Sequence, residues 1–224
     1  MSPREFLRVI GATVRVLKDS NRLKDIHVVA DITSRERFAA ALRTEHARGN
    51  GELLDRKPEI NKSTVDFEAL GRLPADTLGG AFVRHLERHR LDIFVDPTSD
   101  EFVHDADVRY LIHRYRQTHD IWHVLMGLGV EGHEEVLVHA FTLGLLGLPV
   151  SAMIVVFGGI KHIVLERRWT TLRHGVAEAF RSGRRAKPLL TVEWEHLWDR
   201  PLDDVRRLHG IAPCTPAYVT RPEA

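Results

Sequence analysis

The chain has 224 residues, 43% of them hydrophobic and 28% charged, enough to close one sizeable core. Its 32 basic side chains against 31 acidic ones leave a formal charge of +1, which excludes a nucleic-acid binder driven by bulk charge. A single cysteine, Cys214, excludes a disulfide scaffold and any zinc site built from thiolates, and it fits a reducing compartment. The 14 histidines raise the question of whether some are arranged as metal ligands.

In chain order, Phe6, Val9, Ile10, Val14 and Leu17 form an amphipathic stripe that predicts a helix over Glu5–Leu17. Arg4, Arg8, Arg15 and Lys18 lie in the same stretch, but Glu5 and Asp19 break the acid-poor pattern of an organelle presequence. Ser34–Ala47 reads as a helix with Phe38, Ala41 and Leu42 on one face, stopped by Asn50-Gly51. A short helical turn, Asp66–Leu70, precedes Pro74, and Asp76 is placed to cap a helix running through Phe82 and Leu86 to His89. Leu91–Thr98, with Ile93 and Val95, is the one strand-like piece and is bounded by Pro97. The strongest helix is Ala106–Gly127, with Asp105 as its cap and Gly127 and Gly129 as its stop. Further helices are expected over Glu131–Leu146, Val150–Phe157, Lys161–Gly183, Val192–Trp198 and Leu202–Leu208.

The most apolar stretch, Val136–Phe157, is long enough for a bilayer span, but His139, Thr142, Gly144, Gly147, Pro149 and Ser151 interrupt it. Pro149 would break a spanning helix near its middle, so two buried helices joined at Gly147-Leu148-Pro149 are the better reading, with a peripheral membrane contact left open. The expected fold is all-α: a single compact multi-helix domain over residues 1–213, with a loose tail over 214–224.

The strongest chemical signal is His119-Asp120-Ile121-Trp122-His123. On a helix, His119 and His123 stand about 40° apart around the axis, with Asp120 about 60° from His123 and about 100° from His119. Ile112, Tyr115 and Met126 share that face, so the imidazoles point inward, and two inward imidazoles beside a carboxylate suit a divalent ion, zinc above all. A fourth ligand must come from elsewhere. Glu135 opens the helix after the Gly127–His133 connection, and antiparallel packing brings it opposite His123. The competing reading is a chance histidine pair in a histidine-rich chain, with Arg116 bridging to Asp120 one turn along.

These residues resemble the ubiquinone (coenzyme Q) biosynthesis protein 4 family, whose signature is H-D-x-x-H, eleven residues and a Glu. Here it reads His119, Asp120, His123 and Glu135, and the resemblance extends to Arg114-Tyr115-Arg116, Gly127, Gly147-Leu148-Pro149, Leu73-Pro74 and Thr77-Leu78-Gly79. It covers roughly residues 55 to 213. Gln117, the loop Leu128–His133, and His139 (where the family commonly has Lys) depart from the pattern, which makes Arg116, His133, Glu134 and His139 candidates for groups supporting the ligands.

The resemblance implies a divalent metal, Zn2+ by preference, held by His119, Asp120, His123 and Glu135, and oxidative decarboxylation of a polyprenylated hydroxybenzoate-type precursor, hydroxyl replacing carboxylate. It also implies a protein peripherally associated with the inner face of the membrane, cytoplasmic or, in a eukaryote, on the matrix side, with other ubiquinone biosynthesis enzymes as partners and a homodimer left open. Leu143, Leu146, Val150, Met153, Ile154 and Phe157 are candidates to line a groove for the prenyl tail, and each also reads as ordinary core. The alternatives are a non-catalytic lipid-binding scaffold for the same pathway and, on the His-Asp doublet, an HD-type metal phosphohydrolase drawing on His85, His89 or His104 with Asp199 or Asp203. The latter gives His123 and Glu135 no role.

Overall fold

The computed structural model describes residues 1–19, 22–49, 51–93, 97–166 and 169–215, with backbone alone for 51, 161–166 and 169–171. Among these, the regular elements are α-helices: α1 (Pro3–Lys18), α2 (Leu23–Ala47), α3 (Gly51–Arg56), α4 (Phe67–Gly71), α5 (Leu78–His89), α6 (Ala106–Met126), α7 (Gly132–Leu146), α8 (Pro149–Glu166), α9 (Trp169–Arg185) and α10 (Leu202–His209), with a 3-10 turn at Trp194–His196. No strand is formed among the described residues; 91–93 and 97–98 are irregular, and the rest of the strand-like piece lies outside them.

Local chemistry sets most helix ends. Ser2 and Glu5 form a reciprocal capping box at the start of α1, with Pro3 at the first helical position. The cap of α5 is Thr77, whose hydroxyl accepts from the Gly80 N–H at 3.2 Å, and not Asp76; the Asp76 carbonyl instead receives the Leu202 N–H at 2.7 Å and ties α10 to this corner. Asp105 caps α6 as expected, accepting from the amides of Asp107 and Val108. Helix α2 starts eleven residues before Ser34, at Leu23. Its first half carries Leu23, Ile26, Val28, Val29 and Ile32, but the fully buried ones (Val29, Ile32) are interleaved with buried polar groups such as Asp25 and Asp31 that mask the periodicity. Pro149 opens α8 at its first turn, where a missing N–H costs nothing, and α8 then runs on unbroken past Phe157 to Glu166. The Val192–Trp198 segment makes only the 3-10 turn.

Helix α7 lies at the centre of the second half, against α8 and α9, while α2 and α5 flank α6. A Cβ on Gly144 would overlap the Phe180 carbonyl oxygen, and one on Gly183 the Phe141 carbonyl oxygen, so α7 and α9 cross in backbone contact. Across α6 and α7, Trp122 meets Phe141 edge-on at 6.1 Å. Two buried ion pairs tie distant segments to α6. Arg114, fully buried, takes both oxygens of Glu195 at 2.7 Å, and Arg116 takes Asp31 of α2 at 2.5 Å. Trp194 is buried and Trp198 stacks on Phe82; the Trp169 side chain lies outside the described residues. Packing continues through Cys214, which is buried and whose N–H donates to the Met126 carbonyl at 2.8 Å; residues 216–224 lie outside the described residues.

Candidate metal centre

The last two turns of α6 carry His119 and His123, one helical turn apart on the same face. Gly127, at φ +68°, ends the helix, and the chain reverses through residues 127–131 into α7. Glu134, in the first turn of α7, accepts the Glu131 N–H at 2.9 Å and the Gly129 N–H at 2.8 Å, so one carboxylate both caps the helix and fixes the loop. A Cβ on Gly129 would lie 2.7 Å from Glu134 Oε2 and 3.0 Å from His89, so only glycine allows this approach. The Gly129 carbonyl then accepts from His123 Nδ1 at 2.7 Å. A carbonyl can only accept, so the His123 proton sits on Nδ1 and the neutral ring offers the lone pair on Nε2.

That lone pair faces two others. His123 Nε2 is 3.3 Å from His119 Nε2 and 3.5 Å from Glu135 Oε1, and His119 Nε2 is 3.7 Å from Glu135 Oε2. Ligand atoms about 2.1 Å from a tetrahedral ion stand about 3.4 Å apart, and the nitrogen–nitrogen separation and each imidazole's distance to its nearer Glu135 oxygen fall close to that edge length. Among the described residues, His119, His123 and Glu135 form the group whose donor atoms converge within 4.8 Å. Burial opposes charge on His123, but the Glu135 carboxylate outweighs it and draws the imidazole pKa up. Burial likewise opposes charge on Glu135, and hydrogen bonding to His119 and His123 overrides it, holding the carboxyl far below the usual range. Three electron-pair donors that converge in this way are a set that could hold a metal ion. The site opens at Glu135, whose side chain is 36% exposed, and closes at His123, whose side chain is 0% exposed.

Asp120 stands outside the converging group, lying about 80° round α6 from the middle of the face that His119 and His123 share. Its negative charge nevertheless helps draw the His123 pKa up. Arg116 bonds to Asp31 and to Thr98, which ties α6 to α2 one turn before the motif. Glu134 supports the site through Gly129. His139 lies beside His119, ring centres 5.5 Å apart, and bonds Ser151 of α8 through Nδ1 at 3.1 Å. Burial first, and repulsion from His119 second, push its pKa down to about 3. His133 is buried at the start of α7 and is not part of the converging donors. Of the groove candidates, Val150 is buried, Leu143, Leu146, Met153 and Ile154 are half-buried, and Phe157 is exposed.

His85 and His89 of α5 join this neighbourhood. The His85 ring lies 5.7 Å from His123 and 4.8 Å from His89, with its Nε2 buried and without a hydrogen-bond partner. Burial, then repulsion from His123, takes its pKa down to about 4. The signal in the sequence is the His85–His89 spacing, the same one-turn interval as His119–His123; the phosphohydrolase reading draws on these histidines only as single alternatives. Asp199 and Asp203, which that reading also needs, are not among the converging donors.

A family model for "Coenzyme Q (ubiquinone) biosynthesis protein Coq4" matches residues 2–215. Among curated relatives, the mitochondrial ubiquinone biosynthesis protein COQ4 homolog of Drosophila ananassae is 34% identical over 213 residues, covering 92% of this chain and 78% of that protein. The mitochondrial COQ4 of Coprinopsis cinerea is 32% identical over 163 residues, covering 71% of this chain and 54% of that protein. The fold is shared with a crystal structure of a ubiquinone biosynthesis protein from Nostoc punctiforme, at a TM-score of 0.72 and 22% identity over 91% of this chain and 96% of that one. The histidine–glutamate centre thus sits in a chain matched from end to end of its described core, and the chain belongs to the coenzyme Q (ubiquinone) biosynthesis protein Coq4 family.

Proposed function

We propose that this protein replaces the ring carboxylate of a polyprenylated hydroxybenzoate-type precursor with hydroxyl, at a membrane surface, using a divalent ion. The observation that supports this reading is the convergence of His119 Nε2, His123 Nε2 and Glu135 at tetrahedral-edge separations, with the His123 tautomer fixed by Gly129. His119, His123 and Glu135 would hold the ion, with Asp120 added by the family motif, and zinc fits the nitrogen and oxygen donors. When bound, the ion supplies a Lewis acid for the carboxylate or phenolate of the substrate. Exchange of carboxyl for hydroxyl balances as ArCOOH + O2 + H2O → ArOH + CO2 + H2O2: the electron-rich phenolate ring gives up two electrons, dioxygen takes them and leaves as hydrogen peroxide, and the carboxyl carbon leaves as CO2.

The chain's own residues provide the rest. The Glu135 side would admit the ring from the surface, while the buried His123 closes the inner wall. His85 and His139, neutral at physiological pH, leave the site without a fixed positive charge on either flank. The prenyl tail would follow Leu143, Leu146, Val150, Met153, Ile154 and Phe157 along α7 and α8. The test is turnover of a prenylated 4-hydroxybenzoate-type acid, followed by mass spectrometry of the hydroxylated product. Metal-stripped protein, His123→Ala and Glu135→Gln should each lose turnover, and zinc should restore only the stripped wild type. Full turnover by a variant that holds no metal would reject the catalytic reading and favour the scaffold.

A further inference from the structure

Helix α1 has three distinct sides. At 100° per residue, Glu5, Val9 and Ala12 fall on the side that packs on α2: Ala12 is fully buried and Glu5 pairs with Arg35 of α2 at 2.5 Å. About 130° round the axis stand Phe6, Ile10, Val14 and Leu17, all apolar and each roughly half exposed. Arg4, Arg8, Arg15 and Lys18 occupy the third side, next to the apolar one.

The apolar side does not end at α1. Thr13 Oγ1 lies 3.7 Å from Met153 Sδ of α8, and Thr13 sits at the border between the packed and apolar sides. Val156, Phe157 and Ile160 share the Met153 face of α8 and are all exposed. Most of the large hydrophobic side chains exposed among the described residues therefore belong to two neighbouring helices, where single scattered ones would need no explanation.

The geometry points to this α1–α8 surface as the side that rests on an anionic lipid bilayer, with α1 lying in the plane of the interface. It deepens the membrane part of the proposed function by naming the surface. Charge selects the occupant. Asp25 is shared by Arg15 and Arg22, and Glu101 meets Arg8, so Arg4 and Lys18 at the two ends of α1 add to a positive edge beside the apolar stripe. Anionic headgroups complement that edge, whereas a second copy would set two such edges against each other. The opposite side of α8 faces the metal centre: Ser151, about 160° round the axis from Met153, bonds His139 beside His119, and Gly158 abuts Val136, the residue after Glu135. Helix α8 therefore stands between the lipid-facing stripe and the centre.

The test is co-sedimentation of the full chain with vesicles of phosphatidylcholine alone and of phosphatidylcholine with phosphatidylglycerol, without substrate. Wild type should bind the anionic vesicles more strongly, and raised salt should weaken that binding. Ile10→Glu with Val14→Glu, and separately Val156→Glu with Ile160→Glu, should each lower the bound fraction at least about tenfold while leaving helix content and zinc content unchanged. Binding by both double variants equal to wild type, or no vesicle binding by wild type, would overturn the proposal. So would a wild-type dimer that the same substitutions convert to monomer, since the surface would then be covered by a second copy. Zinc content and product formation are read separately, so failure here leaves the metal chemistry standing, and the reverse.

Discussion

His123 Nδ1 lies 2.7 Å from the carbonyl oxygen of Gly129, and this one bond decides which nitrogen of the most buried imidazole faces Glu135. The carbonyl is placed by Glu134, whose Oε1 takes the Gly129 N–H at 2.8 Å while Oε2 takes the Glu131 N–H. A helix cap, a glycine and a ligand tautomer are thus coupled in sequence, and none of the three works without its neighbour.

Loosening that chain of bonds should weaken metal binding without removing a ligand. Glu134→Gln keeps one acceptor and one half of the cap, and Gly129→Ala drives a methyl into Glu134 and His89. Both should lower zinc affinity about 10- to 100-fold, measured by competition with a zinc indicator, with Glu134→Gln milder than Gly129→Ala. Glu135→Gln, which alters a donor itself, should lower it further. An unchanged affinity in Gly129→Ala would mean that the loop does not set the imidazole.

The stability of metal-stripped protein should fall with acid in a defined window. His139 is pushed down to about 3 and His85 to about 4, so both are neutral when folded at pH values where the unfolded chain, near 6.5, takes up protons. Their contribution is complete above about pH 6.5 and is lost as pH falls toward 4, by at most about 1.4 kcal/mol per pH unit for each group. His123, with its raised pKa, works in the opposite direction, its contribution present below about 6.5 and lost as pH rises through the folded value. Comparing wild type with His139→Gln isolates one group: urea midpoints at pH 7, 6 and 5 should converge in the variant. Parallel lines for the two proteins would show that His139 is charged in the fold.

How much of this was legible in the sequence follows from which forces act locally. The His119–His123 pair and its cap Asp105 are written within one helix, where spacing fixes direction, and Glu135 follows because a short connection forces α7 back toward α6. Asp120 was harder, since a residue 100° round the helix joins the site only if the partner helix reaches across, and α7 places Glu135 on the His119–His123 side. The early start of α2 and the Arg116–Asp31 pair depend on long-range burial of polar residues, which breaks the apolar pattern that periodicity reads. His85 was half legible: its one-turn interval to His89 is written in α5, but its approach to His123 comes only from tertiary packing.

The α7–α9 crossing makes a sharper demand on two glycines than any turn does. Gly144 and Gly183 each face the other helix's backbone with no room for a Cβ. Gly144→Ala and Gly183→Ala should each destabilise by about 1–3 kcal/mol through overpacking, although alanine is the better helix former. The double variant should fall short of the sum, because the first substitution already separates the helices. Additive losses in chemical denaturation would show that the two positions do not share one contact.

The buried pair between Arg116 and Asp31 should behave as a structural lock between α2 and α6 and not as part of the chemistry. Burial raises the Asp31 pKa and Arg116 opposes it, so the carboxylate depends on its guanidinium partner for its charge. Asp31→Ala removes the carboxylate that the Arg116 side chain, 7% exposed, meets at 2.5 Å, and should cost about 3–5 kcal/mol. Asp31→Ala with Arg116→Met removes both charges and should recover a large part of that loss. In the double variant zinc affinity should stay within about twofold of wild type, since the pair joins α2 to α6 and supplies none of the converging donors. A double variant that regained stability but not zinc would place Arg116 at the metal centre after all, and would return it to the supporting role its position one turn before Asp120 suggests.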